Sequence, residues 1–223
     1  MSQEQLKLIA CITMLLDHIG VVFFPGSFLR MIGRIALPIY CYLLSEGVFH
    51  TCNRYRYGCR LLFAAMLAEM PFDLVSSGTW NWGKQSVMVT LLVGYLFCIG
   101  ADQVSSVSGR VLLLVPFVWL GEVLRVDYGG WGVMMIGMFF LTRDLPQSRL
   151  LQAVCLVTIS LVMSKSKISL GNLLIPLQLF AVLAMMPICL YDGRKTVASK
   201  WIQWGFYLFY PVHLLGLYVI RRF

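Results

Sequence analysis

The chain has 223 residues, 59% of them hydrophobic and 13% charged, with a formal net charge of +8 and a mean hydropathy of +0.80. A soluble domain carries about 25% charged residues, so this composition excludes a water-solvated globule; its apolar bias and its length also exclude disorder and a small disulfide scaffold. The expectation is an all-α, polytopic integral membrane helix bundle, with about nine transmembrane helices at roughly 20 residues each, forming one domain over residues 1–223.

Apolar segments bounded by polar or Gly/Pro punctuation predict helices over 6–24, 29–50, 57–75, 86–101, 110–124, 130–143, 148–164, 169–191 and 203–221. The third is interrupted by Glu69, Pro71 and Asp73. Pro25-Gly26, Ser76-Ser77-Gly78, Gly129-Gly130, Pro146 and Asp192-Gly193 read as loops. The start, Met1-Ser2-Gln3-Glu4-Gln5, is not the basic n-region of a signal peptide, and no small-residue cleavage site follows, so the first helix is expected to be retained. The seven cysteines, Cys11, Cys41, Cys52, Cys59, Cys98, Cys155 and Cys189, form no C-x-x-C pair and read as small buried apolar residues.

Lys and Arg near helix ends favour the cytoplasmic side. With the N-terminus cytoplasmic, Lys7, Arg54, Arg56, Arg60, Arg110, Arg143, Arg149, Arg194, Lys195 and Lys200 fall inside, against Arg30, Lys84, Arg125, Lys165, Lys167, Arg221 and Arg222 outside. The cluster from Asn53 to Arg60 supports that choice, and an odd helix count then puts the C-terminus outside.

Ionisable groups within apolar helices carry the information, because each costs about 2.5–3.5 kcal/mol at the bilayer centre and faces the bundle interior. They are Asp17 and His18 in the first predicted helix, Arg34, Glu46 and His50 in the second, and Glu69 and Asp73 in the third. Glu122 ends the fifth and His213 lies in the ninth. At about 1.5 Å per residue, His18 and Arg34 lie roughly 8–9 Å below the outer ends of their helices and can meet, with Glu69 and Asp73 near that level. His213 falls nearer the midplane. Asp17 and His18 point about 100° apart, so the partner of Asp17 belongs on another helix, with Arg34 or His213 as candidates. Glu46 and His50, at i and i+4, form a second group at the inner end.

Lys7 and His18 have the most specific spacing. Eleven residues make about three turns, which puts both side chains on one face about 16 Å apart. A cation at the inner interface under a buried histidine suits an elongated ligand with phosphates at one end and a reactive group at the other. Lys7, Arg54, Arg56 and Arg60 would hold the phosphates. In any membrane protein, however, inner loops are expected to be basic.

Lys7-Leu8-Ile9-Ala10 running into Met14-Leu15-Leu16-Asp17-His18-Ile19, then Ile32-Gly33-Arg34-Ile35-Ala36-Leu37-Pro38, then Glu46-Gly47 and His50, resemble the TraX family, whose namesake is an F-pilin N-acetylase. The likeness continues at Asp127-Tyr128-Gly129 and Phe209-Tyr210-Pro211-Val212-His213-Leu214. More distantly the chain is similar to membrane acyltransferases of the acyltransferase-3 type, which carry a basic residue, ten intervening residues and a catalytic histidine, as Lys7 and His18 do. Their R-x-x-R motif is one residue longer here, from Arg30 to Arg34, which leaves Arg34 in place and Arg30 out of pattern.

The resemblance implies a multi-pass protein of the bacterial inner membrane that moves an acetyl or other acyl group from cytoplasmic acyl-CoA to an extracytoplasmic acceptor, a pilin N-terminus or a surface glycan. His18 would act as general base and Arg34 would stabilise the oxyanion. Asp17 would balance Arg34 or polarise a histidine, and His213 would carry a proton or wall the site. Lys7, Arg54, Arg56, Arg60 and His50 would bind the cofactor end. Glu46, Glu69, Asp73, Tyr128 and Tyr210 form the remaining polar set, the tyrosines as hydrogen-bond donors or interfacial anchors. No metal site is expected, since the three histidines are far apart in sequence. The rival reading is a proton-coupled transporter using the same buried Asp, His, Arg and Glu as an ion relay. It predicts two corresponding halves with broken helices, and the sequence has no such symmetry.

Overall fold

The computed structural model describes residues 1–25, 28–164, 166–170, 173–193 and 200–222. Gly26, Lys165, Arg194 and Lys195 lie outside them. The chain forms α1 (Gln3–Phe23), α2 (Phe28–Gly33), α3 (Ala36–His50), α4 (Arg54–Ser76), α5 (Val87–Asp102), α6 (Val107–Val123), α7 (Gly129–Thr142) and α8 (Ser148–Met163). A hairpin of β1 (Lys167–Leu170) and β2 (Leu173–Pro176), a 3-10 helix (Leu177–Ala184), α9 (Met185–Cys189) and α10 (Lys200–Arg222) follow.

Local chemistry sets the boundaries. Ser2 and Gln5 form a capping box at the start of α1, and Asn53 caps α4 by accepting from the Arg56 N–H at 2.8 Å. Glu122 caps α7 from a distance, its carboxylate accepting from the Gly130 N–H at 2.8 Å. Tyr128 and Gly129 turn the chain there with φ of 66° and 55°.

Two of the predicted helices need correction. The helix expected over 29–50 breaks after Gly33, and α3 restarts at Ala36. Pro38 is the physical reason: a continuous helix would set its ring against the carbonyl of Arg34, whereas the break moves it into a first turn that needs no donor. The helix expected over 169–191 is instead an antiparallel hairpin followed by 3-10 and short α turns. Its Leu/Ile-rich run suits a strand as well as a helix. Pro71, expected to interrupt the third helix, lies within a continuous α4.

The chain runs back and forth between two ends of one helical bundle. Met1 donates its amine to the Leu190 carbonyl at 2.8 Å, and Arg54 pairs with Asp102 at 2.7 Å, so the starts of α1 and α4 share one end with the finishes of α5 and α9. Asp17, Arg34 and Asp127 gather at the other end. α7 is central, packed against α3, α5, α6 and α8, and its Met135, Ile136 and Phe139 are fully buried.

The packing is inside out relative to a soluble protein. Leu112 is 73% exposed, Met66 70% and Val212 64%, while Asp17, Arg34, Glu46, Asp73 and Gln152 are buried. α1 and the Phe28–His50 stretch are long and apolar enough to cross a bilayer, and shorter apolar helices accompany them. Such a surface fits lipid as its solvent. Of the cysteines, Cys11, Cys41 and Cys98 are buried as expected, but Cys52, Cys59 and Cys189 are exposed.

Candidate active site

α1 and α10 run in the same direction side by side. Lys7 lies 5.5 Å from the Phe206 ring centroid, and about three turns further along α1 and two along α10, His18 meets His213, Nδ1 to Nε2, at 2.9 Å. The Phe209 carbonyl lies 2.7 Å from His213 Nδ1 and can only accept, so that nitrogen carries the hydrogen. In a neutral ring His213 Nε2 is then an acceptor, and His18 must donate to it from Nδ1. His18 Nε2 is left with its lone pair, which is the form a general base needs. Phe209 stacks on His213 with centroids 4.9 Å apart, and Tyr210 stands edge-on to His18 at 6.0 Å.

Asp17 faces away from His18 and accepts a hydrogen bond from Arg34, both groups being buried. Gly33 makes this approach possible, since a Cβ there would overlap the Asp17 side chain. The Arg34 guanidinium also lies over the Tyr128 ring, 5.6 Å from its centroid. Arg30, out of pattern in the sequence, has its Nε 3.9 Å from Asp17. Asp17 is thus the anchor of two arginines on the α2 segment.

Glu69 and Asp73 sit at the same end of the bundle and serve a different neighbour. Glu69 accepts from the Ser86 hydroxyl at 2.6 Å and from its N–H. Asp73 accepts from the Asn81 N–H at 3.1 Å. Together they fix the 77–86 loop and the start of α5. Asp127 pairs with Lys84 at 2.7 Å, a pair between two loops that periodicity along one helix has no means of revealing.

At the Lys7 end, a cavity of about 340 Å³ opens between α1, α3, α4, α5 and α10. Lys7, His50 and Arg60 line its mouth, and Met14, Val87 and Tyr210 line its deep end, one turn short of His18. A second, shallower depression of about 490 Å³ adjoins it and includes Arg56 and Arg60. Arg60 also donates to Gln203 at 3.4 Å. Of the cations expected to hold phosphates, Lys7, Arg56 and Arg60 face these openings; Arg54 is committed to Asp102 and lines neither.

Glu46 pairs with His50 at 3.4 Å and with Arg143 at 3.2 Å. Arg143 lies over Phe49, 3.7 Å from its centroid. The sequence suggested an inner loop charge for Arg143 and left its link to Glu46 unseen. Among the described residues no group of three metal-ligating side chains converges.

The comparisons with known proteins follow this geometry. The chain is 29% identical over 250 aligned positions to a probable fimbrial assembly protein FimC, serogroup H1, of Dichelobacter nodosus, covering 100% of this chain and 96% of that protein. It is 46% identical over 48 residues to the uncharacterized protein RP591 of Rickettsia prowazekii (strain Madrid E), covering 21% of this chain and 19% of that protein. No solved structure matches. The family described as TraX protein matches residues 2–221, a range that contains both histidines and the whole cavity, and the chain therefore belongs to the TraX family.

Proposed function

We propose that the protein is an acyl-CoA-dependent acetyltransferase of the bacterial inner membrane. It crosses the bilayer about nine times with its N-terminus in the cytoplasm, and it acetylates an extracytoplasmic acceptor such as a pilin N-terminus or a surface glycan. The observation that carries this reading is the cavity joining a basic mouth to the neighbourhood of a histidine that is hydrogen-bonded to a second histidine. An elongated donor fits that shape: phosphates near Lys7, Arg56 and Arg60, a slender arm along the cavity, and the thioester near His18. Membership of a family that includes a probable fimbrial assembly relative supports a pilin acceptor.

In this mechanism the acceptor nitrogen or oxygen attacks the thioester carbonyl while His18 Nε2 takes its proton. A tetrahedral oxyanion forms. It collapses with cleavage of the C–S bond, the CoA sulfur leaves, and the His18 imidazolium returns the proton to it. His213 holds the ring through Nδ1 and shares the transient positive charge. Arg34, anchored by Asp17, adds a fixed positive field at the same end of the bundle.

Purified protein in lipid nanodiscs, given labelled acetyl-CoA and acceptors including a peptide with a free N-terminus, should transfer label. His18→Gln should abolish the transfer. Full activity in His18→Gln would remove the mechanism. Acceptor-independent ion flux in proteoliposomes without any acyl donor would favour the ion relay instead.

A further inference from the structure

The start of α5 walls the cavity at the end away from Lys7. Val87 and Met88, its first two residues, both line the cavity. First-turn N–H groups have no carbonyl partner within a helix. The usual remedy is an N-cap side chain, but Ser86 makes no side-chain cap, because its hydroxyl is turned away and donates to Glu69. Glu69 takes the Ser86 N–H and hydroxyl at the α5 terminus, which leaves the N–H groups of Val87 and Met88 beside the cavity.

A second feature points to the same spot independently. The Tyr210 hydroxyl is buried, on a residue only 2% exposed, and its O–H finds no acceptor, while its oxygen lies toward the Val87 N–H. A buried hydroxyl without a partner costs about 1–3 kcal/mol. Tyr210 lines the cavity, which is the route by which an acceptor for its O–H arrives.

We propose that Tyr210 Oη–H and the Val87 N–H form the oxyanion hole of the acetyl transfer, binding the thioester carbonyl oxygen. This assignment rests on the transferase reading above and names the direct donors that Arg34, bound to Asp17 and outside the cavity lining, does not supply. The carbonyl oxygen enters between Tyr210 and the α5 terminus as the acceptor approaches from the side of His18, whose ring stands 6.0 Å from that of Tyr210. As the acceptor's N–C or O–C bond forms, the carbonyl π pair moves onto oxygen, and both donors face the new charge. The pair returns when the C–S bond breaks. Glu69 is a positioning residue, since it holds Ser86 and with it the direction of the α5 terminus.

Two substitutions remove one donor each. Tyr210→Phe deletes only the unpaired hydroxyl. Val87→Pro deletes the backbone N–H at the first helical position, where proline is tolerated, and Ser86 already has the φ of −66° and ψ of 164° that a following proline requires. Each should lower kcat about 10²- to 10³-fold with the KM for acetyl-CoA unchanged. The infrared band of bound [1-13C]acetyl-CoA, recorded without acceptor, should shift to lower frequency in the wild type and revert in both variants. An unshifted wild-type band, or the same shifted band in Tyr210→Phe, overturns the proposal. Wild-type kcat in Tyr210→Phe overturns it while leaving the transferase reading standing. A shifted band lost in the variants of a protein that transfers nothing supports the carbonyl site and removes the transferase reading. Should Val87→Pro not fold, Tyr210→Phe decides alone.

Discussion

Replacing Asp17 by asparagine keeps the shape of the side chain and strips the counter-charge from a buried guanidinium. Asp17 and Arg34 are 7% and 8% exposed. An exposed ion pair is worth about 0–1 kcal/mol, whereas breaking a buried one costs about 3–5 kcal/mol because a lone charge stays behind. Nothing nearby makes up the loss: Asp127 is already held by Lys84 at 2.7 Å, and Arg30, 3.9 Å from Asp17, brings a second cation to the same place. The expected destabilisation of Asp17→Asn is thus about 3–5 kcal/mol, read as the shift of an unfolding curve in mixed micelles titrated with SDS. Adding Arg34→Met should recover most of it, since both charges are then gone. A loss under about 1 kcal/mol, or no recovery in the double variant, would falsify the claim that this pair is buried and mutually dependent.

Gly33→Ala should cost about 1–3 kcal/mol in the same titration through overpacking against Asp17. Gly216→Ala, with no neighbour within 4 Å of the new carbon, should be neutral or stabilising by about 0.5–1 kcal/mol. His213→Phe preserves a ring against Phe209 but removes the acceptor for His18; initial rates should show kcat down at least about 10²-fold with an unchanged KM for acyl-CoA. Lys7→Met combined with Arg60→Met should raise that KM more than about tenfold, each lost charged hydrogen bond being worth about 1.5–3 kcal/mol, with kcat at saturation little altered. Glu46→Gln should lower stability by about 1–3 kcal/mol by releasing Arg143, and transfer rates measured on the folded fraction should stay at the wild-type level.

Helical periodicity made one part of the site legible in advance. Lys7 and His18 are related by whole turns of a single helix, so the alignment of a basic mouth with a deeper histidine follows from the chain itself. The partner of Asp17 was narrowed to Arg34 or His213, and the decision for Arg34 belongs to tertiary structure, in the close approach that Gly33 allows. The His18–His213 bond was out of reach because 195 residues separate the two and nothing local encodes their meeting. Glu69 read as a buried charge among others, while its task of turning Ser86 away from the α5 terminus depends on a loop whose path has no periodic signature. The segment 169–191 failed for a different reason, since a short apolar run carries no period that separates strand from helix.

The meeting of His18 with His213 also bears on how the protein comes into being. Their helices are the first and last of the bundle, and translation at about 5–20 residues per second puts roughly 10–40 s between the synthesis of one histidine and that of the other. Throughout that interval α1 holds His18 without His213, and the cavity lacks the wall that α10 provides. If the protein works as the proposed transferase, a nascent chain has no means of spending acyl-CoA, and reactivity switches on only when α10 inserts beside α1.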